Sequence, residues 1–475
     1  MNSLSIQERT LAAADQPLQP SRTSPTNTPL VLSDLADKPV WLDFDGGRLS
    51  SDAGLLLLKE VDQQIGLTSA LAAVLPDPRD ARYVQHTTEA LLRQRVFQIA
   101  AGYEDANDSD SLRHDPIVKM AVGPLPETGA PLASQPTISR FENRPSRGDL
   151  YRLAEVFLEE FIRSYAEEPQ VVVLDFDDTE DRVHGNQERA LFNRYYDEYC
   201  FLPLHVYEGL SGRLITTILK PKVLRGAQAL ALLRRLGERL RRAWPKTLIL
   251  FRGDSHFAYP QVMDYLEKAP NMGYVTGLQT NAVLKRLAAD VVEEARRLYR
   301  YRESLAPEQA VKVTRFHSVR YRAGTWSRWR RVVIKVEVTA QGINTRFVVT
   351  DLEQARASVL YRDIYCGRGI AEGYIKDHKL YLKSDRTSCH RFEANQFRLL
   401  LHSAAYVLLE TLRREVLPGT AWAHATMATL RERLLKVGAR VRQLTARIEV
   451  ALPTSCPSEA VLRQSLLRLA RLPPG

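Results

Sequence analysis

The sequence predicts an α/β protein: a mixed sheet in the middle of the chain, interrupted by an all-β insertion and flanked by helical N-terminal and C-terminal regions. Three observations predict it. Val171-Val-Val-Leu-Asp-Phe-Asp177 starts as a continuous apolar run and ends in strict alternation, the pattern of a strand buried first on both faces and then on one. Apolar residues recur at helical spacing in Ala53 to Ile65 and Thr88 to Ala101. Val311 to Arg322, Arg330 to Thr339 and Arg346 to Thr350 alternate as basic antiparallel strands.

The chain has 475 residues, long enough for two to four domains, with 66 Lys and Arg against 56 Asp and Glu. A formal charge of +10 favours an anionic partner, nucleic acid first. The four cysteines form no C-x-x-C pair and no zinc-spaced cluster, which implies reduced thiols. No early segment reads as a secretion signal, and the apolar run Leu399 to Leu409 is too short to span a bilayer. A cytoplasmic protein without a membrane segment is expected.

Residues 1–38, rich in Ser, Thr, Pro, Gln and Asp, read as a disordered tail. Residues 39–165 read as a helical, DNA-binding domain. Within it Ser134-Gln-Pro-Thr-Ile-Ser-Arg-Phe141 has the form of a recognition helix, with Arg140 placed for a phosphate or base edge. A plain capped helix packed by Ile138 and Phe141 explains the same residues equally well.

From residue 170 the spacing predicts strands over Val171–Asp177, Phe201–Tyr207 and Arg213–Leu219, then a helix over Gln228–Trp244 with an Arg-rich face. A strand over Thr247–Asp254, a helix over Pro260–Lys268 and a strand over Met272–Leu278 follow. Three strands, helix, strand, helix, strand is the order of a ribonuclease H-like sheet, whose strand ends deliver carboxylates to one cleft. Residues 166–281 are assigned to the first part of that core and 282–354 to the β-rich insertion. Residues 355–415 form its second part, and 416–475 a basic helical region. From 411 onward 10 Arg and one Lys oppose four Glu.

The most specific feature is Tyr365-x2-Arg368-x3-Glu372-x6-Lys379. On an α-helix these four residues fall on one narrow face. A carboxylate among two cations and a tyrosine suits a metal ion surrounded by phosphates, with Arg368 and Lys379 on the DNA backbone. Lys376 joins them as a DNA-contact candidate. Gly367, Gly369 and Gly373 oppose the helix, each by about 1 kcal/mol relative to Ala. They mark a late start or a close approach of DNA. In Leu174-Asp-Phe-Asp-Asp-Thr179, Asp175 and Asp177 share one face and Asp178 takes the other. Asp254 ends the strand Thr247–Asp254. Three hard carboxylates suit Mg²⁺ or Mn²⁺.

These residues reproduce the Y-x2-R-x3-E-x6-K signature, and the chain resembles bacterial insertion-sequence DDE transposases. Phe44-Asp-Gly-Gly-Arg-Leu-Ser-Ser-Asp-Ala-Gly54, Leu112-Arg-His-Asp-Pro116, Thr137-Ile-Ser-Arg-Phe-Glu-Asn143, Arg252-Gly-Asp-Ser255 and Asn395-Gln-Phe-Arg-Leu-Leu-Leu-His402 resemble the branch of insertion sequence 1380. The resemblance implies a ribonuclease H-like domain with a β insertion and two Mg²⁺ ions on Asp177, Asp254 and Glu372. It implies cleavage at terminal inverted repeats and transfer into target DNA by a homodimer in a bacterial, nucleoid-associated setting. Asp175 remains a rival for the first position. Trp326 and Trp329 are candidates for stacking on a flipped base, though packing is the commoner use of a strand Trp.

Two rivals stand beside it. Leu174-Asp-Phe-Asp-Asp-Thr179 also resembles the nucleophile motif of haloacid dehalogenase-type phosphatases, with Asp175 as nucleophile and Asp177 as acid/base. A DNA-binding copy without catalysis is the other.

Overall fold

The computed structural model describes residues 30–305 and 310–471. Most of the expected tail lies outside the described residues, but its end is ordered into a strand. β1 (Leu30–Leu35) pairs antiparallel with β2 (Lys38–Leu42) across a turn in which Ala36 and Asp37 both have positive φ. The Ser/Thr/Pro-rich composition stops at Pro29, and the apolar residues after it are what pair. β3 (Leu49–Ser50) follows.

The central sheet contains β4 (Val171–Asp178), β8 (Leu204–Glu208), β9 (Leu214–Ile218), β10 (Leu248–Gly253) and β11 (Met272–Leu278). β12 (Val313–Tyr321), β13 (Arg330–Thr339) and β14 (Gly342–Thr350) extend it. Its eight strands run in the order β12-β13-β14-β11-β10-β4-β8-β9. β4, β10 and β11 are mutually parallel, while β8, β9 and β14 enter antiparallel. Between β4 and β8 the chain makes a separate small sheet of β5 (Asp181–Arg182), β6 (Leu191–Asn193) and β7 (Glu198–Phe201). The strand expected over Phe201–Tyr207 is therefore two. Pro203, which lacks an N–H, stands at the break and lets β7 and β8 join different sheets.

The insertion is not all β. It begins with the helices Ala282–Leu287 and Ala289–Leu305, and its three strands continue the central sheet through β14 on β11. The second helix carries so many charges that only Val291 and Ala295 are buried, which hid its apolar stripe.

Alternation along the strands divides the sheet into two faces. Val172, Leu174, Phe176, Ile249 and Phe251 pack beneath the helices Gly226–Ala243 and Pro260–Leu266. Val173, Leu250 and Val275 pack on the opposite face against Leu360 and Tyr361. Asp175 and Asp177 lie on that second face, under the helical segment that carries Glu372.

The two ends of the chain meet. The helices Leu55–Ile65, Thr88–Ala100 and Phe392–Thr411 share one apolar core with Met427, Leu430, Leu434 and Leu435. The C-terminal region, expected to be helical, contributes β15 (Ala439–Gln443) and β16 (Ile448–Ala451). β15 pairs with β3. In Ala439-Arg-Val-Arg-Gln443 the arginines alternate with buried Ala439 and Val441, a strand pattern that a count of Arg residues conceals.

Candidate active site

β4 delivers three acids with three different partners. Asp175 is completely buried and accepts two bonds from Arg252, at 2.6 Å from Nε and 2.5 Å from Nη2. Arg252 also donates to the Ile364 carbonyl at 2.7 Å, which ties β4, β10 and the helical segment together. A nucleophile needs an open face, and Asp175 has none, so the phosphatase reading fails at its first step. Asp178 pairs with the buried Lys220 at 2.5 Å.

Asp177 is partly exposed at the end of β4. Arg368 donates to its Oδ2 at 2.8 Å. Burial pushes the Asp177 carboxyl up to about 6; Arg368 pulls it down, while Asp254, Asp178 and Glu372 push it further up. The same three acids, Asp177, Asp254 and Glu372, all act on the Arg368 guanidinium. Of the three, only Asp177 bonds Arg368; Asp254 and Glu372 act on it through their charge alone. Asp254 follows β10 and accepts from the His256 backbone at 2.9 Å and pairs with its ring at 2.8 Å. Glu372 is exposed on the helix Gly369–Lys376. Tyr365 feels both Arg368 and Asp254, and its hydroxyl lies where a side chain on Gly277 of β11 would stand.

Three hard oxygen donors around a cation are the chemistry a divalent ion takes. As they stand, no three His, Cys, Asp or Glu side chains among the described residues are close enough to share one ion. Arg368 occupies one Asp177 oxygen, so it is the competitor for that position. By type the three carboxylates suit a divalent ion, while their present spacing does not bring them onto one.

The segment carrying Glu372 is helical from Ala357 to Tyr381, but it is not one α-helix. Leu360–Tyr365 and Asp377–Tyr381 are π turns, and Cys366–Arg368 is 3-10. The single narrow face expected for Tyr365, Arg368, Glu372 and Lys379 is therefore not kept. Lys379 turns to Glu180, three residues beyond Asp177, bonding its carbonyl and lying 3.2 Å from its carboxylate. Gly367 is required, because a side chain there would meet Arg252. Gly369 and Gly373 face open space beside Glu372. Lys376 is exposed and lies over Tyr381.

The other candidates are scattered. Arg140 is exposed on the helix Gln135–Glu142, whose Ile138 and Phe141 are buried as the packing alternative requires. Trp326 is buried, edge-on to Tyr321 and beneath Arg330, so its ring offers no free face to a base. Trp329 is 60% exposed. The Arg-rich face of Gly226–Ala243 is not a free basic surface. Arg235 and Arg239 pair with Glu155 and Glu159, Arg234 lies over Tyr265, and Arg241 caps the Thr247 and Asn271 carbonyls. The basic region 416–475, expected to be helical, is broken by β15, and Arg442 and Arg447 both pair with Glu449. Sequence reasoning missed Arg252, Lys220 and His256 as partners of the acids. Arg252 and His256 stand within two residues of Asp254, a proximity that was the available signal.

A cavity of about 790 Å³ lies away from the carboxylates, between the helices Gly226–Ala243 and Phe392–Thr411 at the edge strand β9. None of the described helices is long and apolar enough to cross a membrane.

No curated protein matches the chain. Among solved structures, a cryo-EM structure of the piggyBac transposase synaptic complex with hairpin DNA aligns over 82% of this chain and 80% of that one. The identity is 11% and the TM-score 0.42. The model of the family described as Transposase DDE domain, group 1, matches residues 32–474, so the chain belongs to the DDE transposases.

Proposed function

We propose that the protein excises and inserts a bacterial insertion sequence of the 1380 type, with Asp177, Asp254 and Glu372 as the catalytic and metal-binding carboxylates. The observation that carries this is the bond from Arg368 of the signature segment to Asp177 at the end of β4. Asp177 is preferred to Asp175 because Asp175 is sealed beneath Arg252. A ribonuclease H-like core is supported by the order of β9-β8-β4-β10-β11, with the first three antiparallel and the last two parallel to β4.

Two Mg²⁺ ions, or Mn²⁺, held by these carboxylates would lower the pKa of a water or a 3′-hydroxyl and stabilise the leaving oxygen. The chain's own groups do the rest. Arg368 moves from Asp177 to a DNA phosphate. Tyr365 is held against Gly277, with its hydroxyl toward the cleft. Lys376, Lys379 and Arg140 contact backbone, and Trp329 is the remaining stacking candidate of its pair. The N-terminal helical region and the inserted strands contact the terminal inverted repeats, and two copies hold the two ends and the target DNA.

The test is an excision assay in cells, with the gene and its native flanking DNA on a plasmid. Wild type is expected to lose the element and generate new insertions. Glu372→Gln is expected to do neither while still binding DNA. Excision by that variant would remove Glu372 from the site.

A further inference from the structure

The small sheet between β4 and β8 has no part in holding the carboxylates, yet it sits at their side. It leaves β4 directly after Asp178 and returns through β7 to β8. Glu180, two residues past Asp178, holds Lys379, and β5, which begins at the next residue, pairs with β7. Arg182 on β5 braces Glu198 at 2.8 Å. Through β5 and Glu180 the β6–β7 hairpin is thus tied to the helical segment that carries Glu372.

Its outer surface is aromatic. Tyr195 is 87% exposed, Tyr199 58% and Phe192 50%, with Tyr196 and Leu191 also exposed. Phe192 and Tyr199 are cross-strand partners with ring centroids 5.5 Å apart, and Tyr195 meets Tyr196 edge-on at 4.9 Å. Asp197, at positive φ, closes the turn that presents them. Rings this exposed lose free energy in water and find it again against a flat apolar partner.

The charge beside them selects that partner. Asp197 and Glu198 flank the rings, which disfavours a duplex backbone running across them. Arg194 at the turn has no carboxylate partner among the described residues. Rings with hydroxyl tips, acids at their flank and one free cation suit base faces with a single phosphate between them. An apolar protein partner would call for aliphatic residues, of which the patch has only Leu191.

We propose that the β6–β7 hairpin is a stacking surface for unpaired DNA bases next to the scissile phosphate. This rests on the transposase reading above, and it names the form of DNA the site takes: a strand opened beside the cut.

The test uses the full chain, a fluorescent oligo-dT strand and a duplex of the same length. The Tyr195→Ala/Tyr199→Ala double variant is expected to lose about tenfold or more in affinity for the single strand, about 1.4 kcal/mol, and little for the duplex. The corresponding double Phe variant keeps the rings and should bind as wild type does. An unchanged melting temperature in both variants checks that the fold survives. If single-strand affinity is unchanged, or falls equally with duplex affinity, the stacking surface is overturned. If the Ala variant instead changes solution mass with single-strand affinity intact, the patch joins two copies and the proposal also falls. Wild type that binds duplex but not the single strand overturns the hairpin alone. Wild type that binds neither DNA overturns the transposase reading with it.

Discussion

Arg368 is held by Asp177, and this has a measurable consequence. Asp177, Asp254 and Glu372 repel one another, and Arg368 offsets part of that repulsion through its bond to Asp177. Anything that binds the folded chain raises its melting temperature according to its affinity. With Asp177 as a metal ligand, as proposed, a divalent ion has to displace Arg368 from it. Arg368→Ala should therefore melt lower than wild type in chelator, because the repulsion is no longer offset. The same variant should gain more from added Mg²⁺, because the competitor is gone. Thermal melts with and without Mg²⁺ measure both. An equal Mg²⁺ gain in the two proteins would mean that Arg368 does not compete for the site.

At the scale of elements, the end of β14 carries a built-in pH dependence. Asp351 accepts from the Tyr274 backbone at 2.9 Å, and burial pushes its carboxyl up to about 6 from 3.8. A raised carboxyl favours the protonated form in the folded chain. Its contribution is fully present below 3.8 and is lost as pH rises through about 6. Asp351→Asn keeps an acceptor for Tyr274 without the charge. It should be more stable than wild type at pH above 6, with the difference closing as pH falls toward 4. Urea titrations across that range would read it, and parallel curves would remove Asp351 as the cause. The elements themselves were legible to different degrees. Met272–Leu278 is a strand over the bounds its apolar run predicts, and Asp177 and Asp254 stand at the ends of β4 and β10 as the strand patterns imply. The π turns at 360–365 and 377–381 were not legible, because winding depends on what the segment packs against and leaves no period of its own. They are why Lys379 parts from Glu372. The arginines of Gly226–Ala243 misled for a related reason: their acidic partners, Glu155 and Glu159, lie 80 residues away in sequence.

At the scale of the molecule, several motif segments hold the terminal regions together and stand apart from the carboxylates. In Ser50-Ser-Asp-Ala-Gly54, Ser50 donates to Asp115 at 3.0 Å, and Asp115 caps the helix Pro116–Val122. Buried Asp52 accepts from the Tyr103 hydroxyl at 2.9 Å and pairs with Lys436 at 2.7 Å. Gly54 is pressed so closely on the C-terminal region that an added Cβ would lie 2.6 Å from the Leu435 Cα and closer still to the Leu434 carbonyl. These neighbours are backbone, so they cannot swing aside as a flexible side chain would. Gly54→Ala should therefore cost about 1–3 kcal/mol, the range for an overpacked core. Gly369→Ala, with nothing within 4 Å of its added methyl, should instead gain up to about 1 kcal/mol from helix propensity. Paired thermal melts decide the matter. A fall for Gly54→Ala alongside no fall for Gly369→Ala would show the chain ends clamped at Gly54. Equal melting temperatures for Gly54→Ala and wild type would mean that the ends touch at Gly54 without bearing on stability.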